Sequence, residues 1–391
     1  MNREILFYSD FPFGYHNPEA EEKMARFARR GYDVHYVEQL GIRNPRPRYM
    51  ARIATRAHTR RSGSPSVPFD VVSPKLLPPR GAPLIDRINR RWLARQLAAC
   101  LHAPGEAIFW IRFPTPELVP FVERASRALV VYEVVDDHER GPGMNDRLRA
   151  RFRLAEDRLL SVAGLVFAWS EPIRYRLARL HPNVVPAPTA VDVERFAAVV
   201  DDEPAAPPLA VYVGSADFRF DAQLLAEVAS ALPEWRFILA GPVERSVAAR
   251  LEPTPNVHIR GRVVPSAVPG LLARAAVCLL PYRRSAASDS LFPIKLVEYL
   301  AAGRPIVATA IRAANEFADV VSIADTPAEF AAAIEQSARE DSDAARQTRV
   351  SRARPFSWDR RVDEMEQAIQ AALARGPVSP QPRSAGGAAR P

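Results

Sequence analysis

Residues 276–309 read AVCLLPYRRSAASDSLFPIKLVEYLAAGRPIVAT. Residues 277–280 are a short apolar run ended by Pro281, the pattern of a strand covered on both faces. A polar loop, 283–291, follows. Pro293 suits the first turn of a helix, where its missing N–H costs nothing. Leu296, Val297 and Leu300 form that helix's apolar face, Gly303 is a natural stop, and 305–308 is the next strand. The predicted unit is strand, loop, helix, strand. Its loop opens onto a helix N-terminus at the carboxyl edge of a parallel strand. Open α/β sheets bind ligands there, and free backbone N–H groups favour an anion.

Two side chains on this helix carry chemistry. Lys295 falls in the first turn and Glu298 three residues later, so both lie on one side. Lys295 reads as a diphosphate ligand and Glu298 as a carboxylate that accepts two ribose hydroxyls. The plain alternative is an exposed ion pair. Composition weighs against it: of 53 basic residues only three are lysine, Lys23, Lys75 and Lys295. A chain that uses arginine almost everywhere places a compact ammonium here rather than a planar fork.

The stretch resembles the donor-site segment of GT-B glycosyltransferases, roughly P-x-K-x-x-E-Y-x-A-x-G-x-P-V-V-A. It stands here as Pro293, Lys295, Glu298, Tyr299, Ala301, Gly303, Pro305 and Ala308. GRVVPSAVPGLLARA, 261–275, is similar to the segment that leads into this site in the same fold. The resemblance implies a donor set of Gly214, Ser215, Arg262, Tyr282, Ser290, Lys295 and Glu298. It departs at one place: many retaining members carry a glutamate where this chain has Ser290, beside Asp289.

The implied fold class is α/β, GT-B: two Rossmann-like doubly wound domains, with a C-terminal helix crossing back to the first. The chain's 391 residues suffice for two domains with full cores. The expected organisation is an acceptor-side domain over 1–197, a linker over 198–208, a nucleotide-sugar domain over 209–355, a crossing helix over 356–375 and a tail without apolar periodicity over 376–391. VPAPTAVDVERF, 185–196, resembles the exit of the first domain in this family. Strands are expected at 4–8, 34–37 and 128–135, and residues 41–83 are expected to be irregular.

Inverting transfer needs a base for the acceptor hydroxyl and positive charge for the leaving diphosphate. Lys295, the helix N-terminus and the Gly214-Ser215 turn would meet the second need. For the first, YEVVDDH, 132–138, resembles the Y-x-x-S-D-G stretch of bacterial xanthan-type glucuronosyltransferases, which places the base on Asp136. Asp137 and His138 are close rivals, and Asp136 could merely cap the next turn. His16, in the loop after the first strand, is an acceptor-side candidate. No cofactor and no metal are expected.

The implied function is transfer of a sugar from a UDP- or GDP-sugar to a hydroxyl of a glycan or polyprenyl-diphosphate-linked acceptor, in cell-surface polysaccharide synthesis. A retaining transferase, a nucleotide-sugar 2-epimerase and a non-catalytic sugar-nucleotide binder stay open. The net charge of +8 calls for an anionic partner. Residues 41–95 hold 12 Arg and one Lys against two Asp. Such a cluster suits anionic lipid headgroups, whereas sparse aromatics disfavour nucleic acid. No run reaches the length of a membrane span, and two cysteines in apolar contexts fit a reducing compartment. The expected location is therefore cytoplasmic, peripheral at the inner face of the membrane.

Overall fold

The computed structural model describes residues 3–14, 18–38, 67–78, 82–125, 128–137, 145–199 and 206–376. The chain divides into two compact units, Met1–Ala187 with Val362–Pro391, and Pro188–Arg361.

The first unit is built on seven strands: β1 (Glu4–Tyr8), β2 (Asp33–Val37), β3 (Asp70–Val72), β4 (Ile108–Ile111), β5 (Leu129–Val134), β6 (Leu165–Ala168) and β7 (Val184–Pro186). Their order is β3-β2-β1-β4-β5-β6-β7, and every pairing is parallel. Parallel strands need crossovers, and helices Pro18–Arg29, Pro83–Ala98 and Asp146–Leu160 are among those that supply them. Covered on both faces, β1, β4, β5 and β6 are buried along their whole length. Each fully buried Leu, Ile, Val or Phe contributes about 1.5–3 kcal/mol relative to exposure.

The second unit repeats the plan with six strands: β8 (Leu209–Val213), β9 (Arg236–Ala240), β10 (Val257–Gly261), β11 (Val277–Leu280), β12 (Ile306–Ala308) and β13 (Ser322–Ile323). Their order, β10-β9-β8-β11-β12-β13, is again parallel throughout. Both sheets reverse direction of growth at one place, between β1 and β4 and between β8 and β11. The crevice outside the carboxyl ends of those strands is where doubly wound sheets hold ligands.

Several expectations need correction. The division between units falls after Ala187, ahead of the expected boundary at 197. Residues 188–197 belong with the second unit because Val191 pairs with Ser357 and Val193 and Phe196 enter its core. Asp192 is spent locally, capping the short helix Val193–Ala197. The last helix runs Trp358–Arg375, and only from Val362 does it count with the first unit. There Glu366 takes hydrogen bonds from Arg30 and Tyr32. The expected irregular stretch contains β3, too short for its period to show. Pro293 is the N-cap of helix Ile294–Ala301, not part of its first turn, and the loop before it holds a further short helix, Ala286–Asp289. Most of the basic stretch within 41–95, most of the linker 198–208 and the tail beyond 376 lie outside the described residues.

Candidate functional site

The site of the second unit starts from two glycines. Gly214 follows β8 with φ +120° and Gly241 follows β9 with φ +151°. The Gly214 N–H donates to the Ala240 carbonyl at 2.8 Å. A Cβ on Gly241 would fall 2.2 Å from the Gly214 oxygen, and one on Gly214 would fall 2.8 Å from Lys295 Cε. No L side chain fits either place, so glycine here leaves a lane for the lysine.

Lys295 fills that lane. It is 7% exposed. Its Nζ donates to Tyr212 Oη and to Tyr282 Oη, both at 2.7 Å. It also lies 4.3 Å from the Tyr212 ring centroid and 5.1 Å from that of Tyr282. Thr309 fixes Tyr282: its Oγ1 accepts from the Tyr282 N–H and donates to the Tyr282 carbonyl. Tyr212 Oη donates to the Ser215 carbonyl at 2.6 Å. Among the described residues no carboxylate pairs with Lys295, so its charge is solvated by phenols but not neutralised. The exposed Lys–Glu pair considered from sequence does not form.

Glu298 lies one turn on, partly buried. Burial pushes its carboxyl up to about 7, against the lowering pull of Lys295 and Arg195. Among the described residues no hydrogen bond reaches this carboxylate. No side chain caps helix Ile294–Ala301, so its first-turn N–H groups add to the positive potential of Lys295. Positive charge, free donors and an unsatisfied carboxylate acceptor thus meet at the β8/β11 crevice.

The remaining expected residues are placed as follows. Ser215 is exposed beside Gly214, and Arg262 is exposed just after β10. Ser290 is 8% exposed, and its Oγ donates to the Ala287 carbonyl, closing the short helix before the site. Asp289 accepts from the Arg312 N–H. Asp136 and Asp137 follow β5 in the first unit, where the Asp137 N–H donates to Asp136 Oδ1 at 2.8 Å. His16 and His138 lie outside the described residues.

Sequence reasoning missed Tyr212, Gly241 and Thr309, and it missed a second buried centre. At the β1/β4 crevice of the first unit, Lys23 is 0% exposed and its Nζ lies 2.5 and 2.7 Å from the two oxygens of Glu133 and 3.1 Å from Glu19. Arg112, also 0% exposed, reaches Glu19 at 2.7 Å and approaches Asp10 at 3.3 Å. The indoles of Trp110 and Trp169 donate to Glu133 at 2.7 and 2.9 Å. Burial alone would raise the Glu133 carboxyl, but Lys23 and Arg112 hold it below its ordinary value. One signal could have found it: a glutamate inside the otherwise apolar strand LVVYEV demands a buried partner.

Residues 207–340 match the family described as glycosyl transferases group 1, a span that contains the whole Gly214–Lys295–Glu298 constellation. A Bacillus subtilis (strain 168) protein, TuaH, assigned by name to glycosyl transfer in teichuronic acid biosynthesis, is 28% identical over 159 residues. That match spans 38% of this chain and 39% of TuaH, so about two-fifths of that relative's length is matched. Among solved structures, sucrose-phosphate synthase from Thermosynechococcus elongatus superposes with a TM-score of 0.69 at 15% identity, covering 96% of this chain and all of that one (100%). Alr3699/HepE from Anabaena, solved in complex with UDP, gives 0.63 at 15% identity, covering 95% and 100%. A trehalose-6-phosphate synthase solved in work on glycosyl transfer with retention gives 0.63 at 14%, covering 97% and 100%. The fold is the two-domain α/β fold of these GT-B structures, and residues 207–340 are similar to the glycosyl transferases group 1 family.

Proposed function

We propose that this protein transfers a sugar from a nucleoside-diphosphate sugar to a hydroxyl of a glycan or polyprenyl-diphosphate-linked acceptor in cell-surface polysaccharide synthesis. One observation carries this reading: a buried ammonium without a carboxylate partner stands beside a carboxylate without a hydrogen bond, at the crevice of a group 1 domain. Lys295 and the helix N-terminus would take the diphosphate, and Glu298 the two ribose hydroxyls. The UDP complex of the Anabaena neighbour supports a uridine donor. TuaH's assignment supports an acidic or wall-type polysaccharide. An anionic membrane surface is the proposed place of work. Its motive is the basic composition of 41–95, together with a lipid-linked acceptor; among the described residues no helix is long and apolar enough to cross a membrane.

In the inverting form of this reading Asp136 is the base. A retaining transfer is the second reading, favoured by the likeness to the trehalose-6-phosphate synthase solved in work on glycosyl transfer with retention. A retaining mechanism would leave Asp136 no proton to take. The test is turnover of UDP- and GDP-sugars by the whole chain, with the anomeric configuration of the product read by NMR. Inversion, with Asp136→Asn lowering turnover by about 10²–10⁴-fold, supports the base. Retention with a mild Asp136→Asn effect moves the mechanism to the second reading. Consumption of donor without acceptor would point to the epimerase, and binding without any turnover would overturn the transferase.

A further inference from the structure

At the opposite, amino edge of the first sheet, four side chains converge that the transfer chemistry does not use. Glu4 opens β1, Asp33 and His35 lie on β2, and His102 lies in the turn after helix Pro83–Ala98. Ligand atoms of Glu4, Asp33 and His102 all lie within 4.8 Å of one another. Glu4 Oε1 is 3.0 Å from His102 Nδ1, and Asp33 Oδ2 is 4.0 Å from it. Into this group points His35, whose Nε2 is 3.5 Å from Glu4 Oε1 and 3.9 Å from Asp33 Oδ2.

His35 is the telling residue. It is 1% exposed, and neither ring nitrogen has a hydrogen bond. An imidazole left so in a sheet interior gives up the hydrogen bonds it had in water and gains none in return. A lone acidic cluster at the surface would need no such residue, and a buried apolar side chain would fit the strand better. A metal at Nε2 removes the defect. The other nitrogen, Nδ1, then faces Asp70 Oδ2 at 3.8 Å. A carboxylate on that side is what commonly orients a metal-bound imidazole, although at this distance Asp70 makes no hydrogen bond to the ring.

We propose that Glu4, Asp33, His35 and His102 form a divalent-metal site, with zinc as the fitting ion. A tetrahedral zinc with ligands at about 2.0–2.1 Å spaces its donor atoms roughly 3.3–3.4 Å apart. Four of the six donor separations, those of Glu4 and Asp33 to the two imidazoles, run from 3.0 to 4.0 Å, around that value. Glu4, Asp33 and His102 form the group whose ligand atoms are all within 4.8 Å of one another, and His35 completes the set by a side-chain shift onto the ion. Two imidazoles with two carboxylates favour a borderline ion over magnesium or calcium, which want oxygen alone. The ion would tie β1, β2 and the 99–107 turn together. Its role is structural, within the first unit, and it replaces the expectation of a metal-free chain for this one place. The inference stands whether or not the transferase reading does.

The test uses the whole chain without a histidine tag, stripped with chelator and titrated with Zn²⁺, alongside Asp33→Asn and His102→Ala. These two side chains are 43% and 75% exposed, so removing them leaves the fold intact, checked by matched unfolding in chelator. The expected result is one Zn²⁺ per chain, a higher melting temperature with zinc, and at least a tenfold loss of affinity in each variant, in the manner of shell losses of about 10–100-fold. Co²⁺ substitution should give four-coordinate d–d absorption without a thiolate charge-transfer band. Zinc that binds both variants as tightly as the parent, a thiolate band from Cys100 or Cys278, or a parent that retains no zinc would each overturn the site.

Discussion

Two of the chain's three lysines are buried at equivalent places, beside the strand-order reversal of their own sheets, yet their surroundings are opposite. Lys23 sits among carboxylates: Glu133 with both oxygens, Glu19 with one, and Arg112 completing the pattern. Lys295 sits among neutral phenols. The first ammonium is neutralised by the protein itself, so its crevice is filled by structure. The second has no carboxylate partner among the described residues, and the proposed use of its charge is a diphosphate. Burial of a lysine therefore says little about function; the charge of its neighbours decides.

The largest expected effect would break the structural side of this contrast. Lys23→Met leaves Glu133 buried beside Arg112 and two indoles without its closest cation. Removing one partner of a buried pair typically costs about 3–5 kcal/mol. The first unit's denaturation midpoint should fall accordingly, while nucleotide binding by the second unit stays unchanged. A neutral result would mean that Arg112 and the tryptophans satisfy Glu133 alone, and that the cluster is not what holds this crevice together.

The functional side should respond in the reverse way. Lys295→Ala removes a cation that has no carboxylate to strand, so the fold should lose little. Charge-assisted hydrogen bonds to a diphosphate are worth about 1.5–3 kcal/mol, so UDP affinity should drop about ten- to a hundred-fold in calorimetric titration. If Lys295→Ala instead unfolds the second unit and spares UDP binding, Lys295 is a packing residue like Lys23 and the site lies elsewhere.

This contrast also shows what a sequence can carry. The 277–280 strand, the 184–186 strand and the helix that bears Lys295 were legible because each is bounded by proline or glycine and has one period. The Lys295–Glu298 helix face was legible for the same reason. Tyr212 was not: in LAVYV it occupies a position that any apolar residue could hold, and its hydroxyl's place between Lys295 Nζ and the Ser215 carbonyl appears only in the fold. The Lys23 centre unites residues 10, 19, 23, 112 and 133, joined by strand order and not by local spacing. Strands such as β3 and β13, of three and two residues, are too short for a period to exist. Ser290 holds a motif position, and its hydroxyl also closes a one-turn helix that no motif announced.

The smallest effect sharpens the comparison most, because it separates Glu298 from Glu133. Glu133 is held ionised by its cations, whereas burial lifts Glu298 from its ordinary 4.5 to about 7. The sign for stability follows from proton counts. Between those two values the folded state keeps a proton that the unfolded chain has lost, so stability falls as pH rises through this window and is level above it. Ribose hydroxyls that donate to Glu298 need the ionised form, so binding should run the other way. UDP affinity should climb roughly tenfold from about pH 6 to about pH 8, since a group that must ionise near 7 gains about one decade over that range. Glu298→Gln should flatten both slopes and weaken binding at high pH. Calorimetric titration across this range, with the variant alongside, reads both. A parent affinity that does not change with pH, or a Glu298→Gln chain that keeps the parent's slope, would remove Glu298 from the nucleotide site and leave Lys295 alone to define it.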